Sequence, residues 1–464
     1  MDNKNGMETN KITAENINDA AEQSGLSISG FAKDGEANVA FLSSGCKLNQ
    51  FETFQFQEIF RLSNPGLSLN FVEPDLTSRG ADKDVNVFFL NTCAVTEKAN
   101  IETNRIIRKI RRKYPESLLV LTGCSVQLES GAFEDLPNIK LIDNEKKARF
   151  MEIASSPSMS LFLNQKRTRP YLKIQEGCNI KCSFCVIPFA RPKVWSMEPE
   201  EVITALKGFN DRGFREAILT GVNIGSYGQD FQENGNYLPE KNRWFKKLLK
   251  MAARLDIPLK IRISSIDPVH FDDELIDILS GAGNIQNHFH IPLQSGSDRI
   301  LKLMNRRYLF ADYSRIIEKL HSKVKDAGIG TDIISGFPTE TREDFEETVK
   351  NLSGLPLQYI HAFSYSDRKG TPSSLIFPKT NEKVIRERTA KIREISSKKR
   401  KGFTEKFLNK PLEFLSLPSM TALSSNYIRA EIGGDGPLIP PGKAFMGAVI
   451  SAGEKNVVKF TAYI

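Results

Sequence analysis

Three apolar runs near the N-terminus each stop on a cysteine: ANVAFLSSGC at Cys46, DVNVFFLNTC at Cys93 and SLLVLTGC at Cys124. Each run has the length and apolar content of a buried strand. A helical pattern follows each, at about 48–62, 96–113 and 125–130. Alternating strands and helices predict a parallel sheet with right-handed crossovers. Sites in such sheets lie just beyond the carboxyl ends of the strands. Cysteines 47 and 31 residues apart along the chain are therefore expected to converge at one sheet edge. Three unrelated buried thiols is the competing reading, since free cysteine is commonly buried. The matched position on successive strands speaks against it.

A second alternation runs from 170 to about 375. Its strands are YLKIQEG, EAILTGV, LKIRISSI, NHFHIPLQ, TDIISGF and YIHAFSYS, with helical patterns near 198–212, 243–254, 272–281, 311–327 and 342–353. Six units are too few for a closed eight-fold barrel, so an open, partial (β/α)6 barrel is expected, with its chemistry at the strand C-termini. A Lys- and Arg-rich helix follows at about 380–405. The last segment alternates and is punctuated by glycine, which suits a small β-barrel. The fold class is thus α/β throughout, with a C-terminal β domain. Domain limits are read at 37–150, 164–402 and 403–464, with 143–168 as a linker. Residues 1–36 hold few large apolar side chains and read as a disordered tail.

The chain has 464 residues, 40% hydrophobic and 26% charged, as in ordinary soluble proteins. No apolar run reaches the ~20 residues that cross a bilayer, and the polar N-terminus has no secretory core. A cytoplasmic, reducing compartment is expected, where thiols stay free. The net charge of +8 favours a polyanionic partner such as nucleic acid; the plain alternative is that many basic proteins bind none. The charge is concentrated in RIIRKIRRK (105–113) and KKRK (398–401). Either could be an ordinary solvated helix face.

IQEGCNIKCSFC (174–185) carries the other three cysteines, Cys178, Cys182 and Cys185, in a C-x3-C-x2-C pattern. Structural zinc needs four ligands, and none of the five histidines lies at finger spacing. A disulfide framework is disfavoured by compartment. Thiolates also hold [4Fe–4S] clusters. Three of them would leave one iron open, and an open position is what makes a metal catalytic rather than structural.

C-x3-C-x2-C after the first strand of a partial barrel resembles the radical S-adenosylmethionine (SAM) superfamily. Longer words narrow the resemblance: SGCKLNQFET, NTCAVTEKAN, LTGC, IQEGCNIKCSFCVIPFAR, LTGVNIGSYG, RISSIDP, HIPLQSGSDRILKLMNRRY, TDIISGFP and SYSDRKGTP. In that order, over about 38–402, they are similar to the methylthiotransferases, in the branch acting on threonylcarbamoyladenosine in tRNA.

The resemblance implies a catalytic [4Fe–4S] cluster on Cys178, Cys182 and Cys185, whose free iron chelates SAM. It implies an auxiliary [4Fe–4S] cluster on Cys46, Cys93 and Cys124 that supplies sulfur, with a second SAM supplying methyl. The expected product is 2-methylthio-N6-threonylcarbamoyladenosine at tRNA position 37. The alternatives are an isopentenyladenosine tRNA, a ribosomal-protein aspartate, or a non-catalytic Fe–S protein that binds RNA. A flavodoxin- or ferredoxin-like electron donor, a monomeric state and no membrane contact complete the expectation. For SAM itself, Gly221 would admit close backbone approach, Ser264 and Gln294 would hydrogen-bond, and Arg306 would offer its fork to the carboxylate. The alternative for each is an ordinary strand-end or turn residue. His288 and His290 read as satisfied buried histidines. The chain departs from the family pattern at PKVWSMEPEE (192–201) and at GFPTE (336–340), where glycine is usual before the glutamate. A TRAM-like β domain, degenerate in sequence, is implied at the C-terminus.

Overall fold

The computed structural model describes residues 28–64, 66–77, 84–147, 163, 165–231, 242–433, 437–453 and 455–464. It divides into two compact units: the chain through position 164 with Phe189–Arg191, and residues 165–188 with 192–464.

In the first unit the chain runs β1 (Glu36–Ser43), α1 (Lys47–Leu62), β2 (Ser68–Phe71), β3 (Val87–Thr92), α2 (Glu97–Lys113), β4 (Leu118–Gly123), α3 (Cys124–Glu129) and β5 (Ile139–Ile142). The strands form one sheet in the order β2-β1-β3-β4-β5, parallel throughout. Every residue of β3 and β4 is buried, because helices cover both faces of a parallel sheet. Phe56, Phe60, Phe89 and Val120 fill one face, and Phe88, Leu121, Ile107 and Ile110 the other.

Order begins earlier than position 37. Ile28 is buried in the first of these cores, and a 3-10 turn at Ser29–Phe31 leads into β1. A single buried isoleucine in a polar stretch leaves no period to read. Residues 1–27, and most of the expected linker at 143–168, lie outside the described residues.

The basic helix α2 is capped by Thr96, whose hydroxyl accepts from Ala99 N. Its cations are partly structural. Arg111 donates to Ser117 O and Asn138 O at 2.9 and 3.0 Å, leaving Arg105, Arg108 and Arg112 exposed.

The second unit begins with β6 (Tyr171–Glu176), followed by a one-turn helix α4 (Ile187–Ala190) whose last residues group with the first unit. It continues with β7 (Trp195–Ser196), α5 (Pro199–Asp211), β8 (Glu216–Gly221), α6 (Arg243–Ala253), β9 (Lys260–Ile263), α7 (Asp273–Gly281), β10 (His288–His290), α8 (Asp298–Leu303), α9 (Phe310–Lys323), β11 (Gly328–Ser335), α10 (Arg342–Gly354), β12 (Tyr359–Ser364) and α11 (Glu382–Glu405). Strands β6, β8 and β9 pair in parallel, as do β10, β11 and β12. A parallel bridge between Ile261 and Ile285 and the bond from Ile266 N to His290 O (3.0 Å) join the two sets. The six strands of the expected partial barrel are thus consecutive. The departure at 192–201 forms β7, which pairs antiparallel with β6.

Strands β13 (Pro411–Leu417), β14 (Thr421–Ser424), β15 (Arg429–Gly433), β16 (Ala444–Ser451) and β17 (Val457–Tyr463) close into a barrel in the order β13-β14-β15-β17-β16. Phe414, Phe445, Val449 and Val458 lie in its core. It abuts the N-terminal ends of the partial-barrel strands through a buried arginine. Arg262 Nε and Nη2 grip Glu216 at 2.8 and 2.9 Å. Its Nη1 and Nη2 also donate to Ser425 O and Ser424 O, at 3.1 and 3.2 Å. Tyr427 stacks on His288 with centroids 3.9 Å apart.

Burial pushes the Glu216 carboxyl up, but Arg262 and then Arg169 outweigh it and hold it at about 2. A depressed carboxyl contributes full stability above its ordinary value near 4.5 and loses it as pH falls toward 2. Thermal unfolding followed across that range should therefore show an acid-labile component that Glu216→Gln lacks. At neutral pH the same substitution should cost about 3–5 kcal/mol, because it strands a buried guanidinium.

Candidate active site: two cysteine triads

In the first unit all three cysteines sit where strands β1, β3 and β4 end. Cys46 is the N-cap of α1, Cys93 follows Thr92, and Cys124 opens α3. Two glycines let them approach. Gly45 (φ +92°) has no room for a side chain: a Cβ would lie 2.5 Å from Cys93 Cβ and 2.6 Å from its sulfur. Gly123 (φ +101°) would collide with Thr92 O at 2.3 Å. Both need the left-handed region that glycine alone enters freely. Asn49 then bridges the loops, donating to Ser44 O at 2.9 Å and Thr92 O at 2.8 Å.

The sulfurs feel one another. Burial pushes the Cys93 thiol up to about 11, with the charges of Cys124 and Cys46 adding to it. Cys46 keeps solvent access, yet burial around its sulfur raises it too, against the pull of Arg191. Thiols held this high stay protonated at neutral pH until a metal displaces the proton to solvent, so loading is linked to proton release. We expect Gly45→Ala to lose the iron of this triad, about four of eight irons per chain if two [4Fe–4S] clusters are present, by iron analysis after anaerobic reconstitution.

The second triad sits on the loop after β6. Gln175, at the end of β6, shapes it by donating to Glu176 O (2.7 Å) and Gly177 O (2.8 Å) while accepting from Asn223 N (2.8 Å). Gly221 serves this arrangement: a Cβ there would lie 2.9 Å from Gln175 Cβ and Oε1. The space beside that glycine is thus taken by Gln175. The loop is nailed down from the other side by the turn after α8. Ser183 N and Oγ donate to Met304 O (3.0 Å) and Leu303 O (2.7 Å), and Asn305 Nδ2 to Lys181 O (2.6 Å). Burial pushes Cys178 up to about 11 and Cys185 to about 12.

Arg306 gathers the remaining expected residues. It is buried, with Nη1 at 2.9 Å from Cys182 Sγ, Nε donating to Tyr308 Oη at 2.9 Å, and Nη2 paired with Asp267. Asp267 belongs to the loop that carries Ser264. Tyr308 Oη donates to Leu293 O at 2.8 Å, next to Gln294. The cysteine loop and the ends of β9 and β10 thus meet on one guanidinium. Ser264 Oγ is buried with no hydrogen-bond partner among the described residues, a donor left for something else. Gln294 is held at φ +75° by its N–H to Asp332 O (2.8 Å) and its carbonyl from Ile334 N (2.9 Å).

The donor sets fit clusters better than single ions. A tetrahedral zinc with Zn–S of about 2.3 Å needs sulfurs about 3.8 Å apart. Among the described residues, the three-donor set within 4.8 Å is His290, Asp332 and His361, and neither cysteine triad. Thiolates on separate irons of a cube stand wider. The buried Ser264 hydroxyl, on the loop that Arg306 ties to Cys182 through Asp267, suits a polar ligand such as SAM. His288 donates to or accepts from Tyr359 Oη at 2.9 Å. His290 meets Ser265 Oγ at 2.8 Å and Asp332 at 3.0 Å. Both rings are buried, and each is hydrogen-bonded through one ring nitrogen, Nε2 of His288 and Nδ1 of His290. Thr339 stands at the second departure with φ +64°, the conformation a glycine would take. Arg299 holds it there through Thr339 O at 2.6 Å.

Sequence reasoning missed Asn49, Glu52, Arg191, Gln175, Asp267 and Tyr308. The signal was present for two of them: Asn49 and Glu52 follow Cys46 by three and six residues, one face of a helix.

Known proteins bear on this geometry. Residues 172–352 match the radical SAM superfamily, and residues 38–142 match the uncharacterized protein family UPF0004. A solved radical S-adenosylmethionine methyltransferase, TsrM from Kitasatospora setae, superposes with a TM-score of 0.53 at 15% identity, over 73% of this chain and 77% of that one, a likeness of fold. Threonylcarbamoyladenosine tRNA methylthiotransferase MtaB from Aquifex aeolicus is 33% identical over 84% of this chain and 95% of its own length. The protein of that name from Bacillus subtilis is 32% identical over 82% and 84%. A tRNA-2-methylthio-N(6)-dimethylallyladenosine synthase from Bacillus pumilus is 30% identical over 77% and 73%. The chain belongs to the radical SAM methylthiotransferase family.

Proposed function

We propose that this protein converts N6-threonylcarbamoyladenosine at tRNA position 37 to its 2-methylthio derivative, using SAM and two [4Fe–4S] clusters. The observation that carries it is the pair of cysteine triads, each of three thiols and each placed at strand ends. Non-catalytic RNA binding needs no open iron. The similarity to relatives named for threonylcarbamoyladenosine supports the substrate.

The chemistry the clusters supply when bound is reductive cleavage of SAM to a 5′-deoxyadenosyl radical and delivery of sulfur to adenine C2. The chain's own residues do the rest. Cys178, Cys182 and Cys185 would hold the cluster that binds SAM, and Cys46, Cys93 and Cys124 the one that carries sulfur. Arg306 orients the SAM carboxylate while fixing the loops that bear Ser264 and Gln294. Gln175 and Ser183 hold the cysteine loop rigid, so that reacting atoms are positioned before bond breaking.

Nucleoside mass spectrometry of tRNA from cells with and without the gene tests the assignment. The methylthio form of threonylcarbamoyladenosine should vanish without it and return on complementation. Loss of the methylthio dimethylallyl nucleoside instead would move the substrate to the other branch.

A further inference from the structure

Beneath the first triad lies a buried ionic network. Glu52 is fully buried on α1, one turn beyond Asn49. Arg191 embraces it with both terminal nitrogens: Nη1 to Oε1 at 2.7 Å and Nη2 to Oε2 at 3.0 Å. The same Nη2 donates to Asn49 Oδ1 at 2.8 Å. Lys147 Nζ reaches Glu52 Oε2 at 2.7 Å. Arg191 and Lys147 are each 3% exposed, so little solvent screens these charges. Ala190, beside Arg191, packs against Ala94 and Cys124, and Asn144 Nδ2 donates to its carbonyl at 2.6 Å.

A buried ion pair is weak evidence for stability, because desolvation consumes most of the attraction. Its position is more informative. Arg191 holds Asn49, and Asn49 holds the carbonyls of Ser44 and Thr92, two residues before Cys46 and one before Cys93. The guanidinium also stands close to the sulfur: the Asn49 Oδ1 that accepts from Arg191 Nη2 lies 3.7 Å from Cys46 Sγ, so one amide oxygen separates the cation from that thiol. Along the chain, Arg191 follows Cys185 by six residues, as Glu52 follows Cys46 by six.

We propose that Arg191, clamped on Glu52, is a positioning residue for the sulfur-carrying cluster and sets its reduction potential. A fixed cation close to the thiolates stabilises the state with one more electron. Net charge near a cluster and hydrogen bonds around it are what set its potential. The process is a one-electron reduction by an external reductant, with no bond made or broken in the protein. The inference rests on the reading that Cys46, Cys93 and Cys124 hold a cluster.

The test uses full-length, anaerobically reconstituted protein. Iron is counted and the midpoint potential of this cluster is followed by electron paramagnetic resonance during dithionite titration. Arg191→Gln should move the midpoint to more negative values and Glu52→Gln to more positive values, with about four irons retained in that cluster. Both substitutions break the Arg191–Glu52 pair, so a role confined to that clamp would move the two alike. Lys147→Gln, a second cation removal, should follow Arg191→Gln in sign and serves if that variant folds poorly. Opposite shifts support the proposal. Unchanged or same-sign shifts with iron retained overturn it. Wild-type protein without iron at this triad would instead overturn the cluster reading beneath it.

Discussion

Cys182→Ala is expected to abolish SAM cleavage, and Cys93→Ala to leave cleavage running while abolishing sulfur insertion. The two cysteines belong to separate triads in separate compact units, each built by its own local devices. Cys182 sits in a loop pinned by Gln175, Ser183 and Arg306, and removing its sulfur leaves two thiols for a cluster that needs three. Cys93 is buried against Gly45 in the parallel sheet. Its loss empties one corner of the first triad and leaves the loop after β6 untouched. Two readouts separate the outcomes: 5′-deoxyadenosine released under dithionite, and methylthio nucleoside formed in tRNA. Each should fall below detection in the affected variant, while Cys93→Ala stays within severalfold of wild type for 5′-deoxyadenosine. Equal loss of cleavage in both variants would contradict the division of labour.

Much of this was legible in the chain because its periods are clean. The runs ending at Cys46, Cys93 and Cys124 became β1, β3 and β4, whose last residues Ser43, Thr92 and Gly123 lie one to three positions before the cysteine, since a doubly covered parallel strand reads as an unbroken apolar run. The six strands of the partial barrel were found for the same reason. What stayed hidden has physical causes. Ile28 joins the core alone, with no neighbour to give a period. The helix α8 is six residues long, shorter than a sequence window resolves, yet the turn after it anchors the cysteine loop. Glu52 and Arg191 are 139 residues apart, and no local pattern announces a pair that only the fold brings together. The basic runs are partly structural, which their composition does not show. Arg111 and Lys399 look like a docking surface in sequence, but Arg111 ties off Ser117 and Asn138 and Lys399 donates to Leu355 O at 2.7 Å. Gly221 was singled out for close approach to a ligand, and the structure fills the space beside it with Gln175.

Arg306 separates a SAM contact from a structural clamp more sharply than any other residue of the second triad. Its three partners, Asp267, Tyr308 and the Cys182 sulfur, occupy all three of its nitrogens. The guanidinium has five N–H donors and these contacts use three, so Nη1, beside the Cys182 sulfur, keeps a second N–H that a SAM carboxylate bound there would need. A charge-assisted hydrogen bond contributes about 1.5–3 kcal/mol, so Arg306→Ala should weaken SAM binding by roughly 10- to 150-fold. Arg306→Lys keeps the charge but not the fork and should recover only part of that. Anaerobic equilibrium dialysis on iron-replete protein gives the affinities. Full SAM affinity in Arg306→Ala, with lowered thermal stability, would reduce this arginine to the clamp that holds the loop of Asp267 against the loop of Cys182.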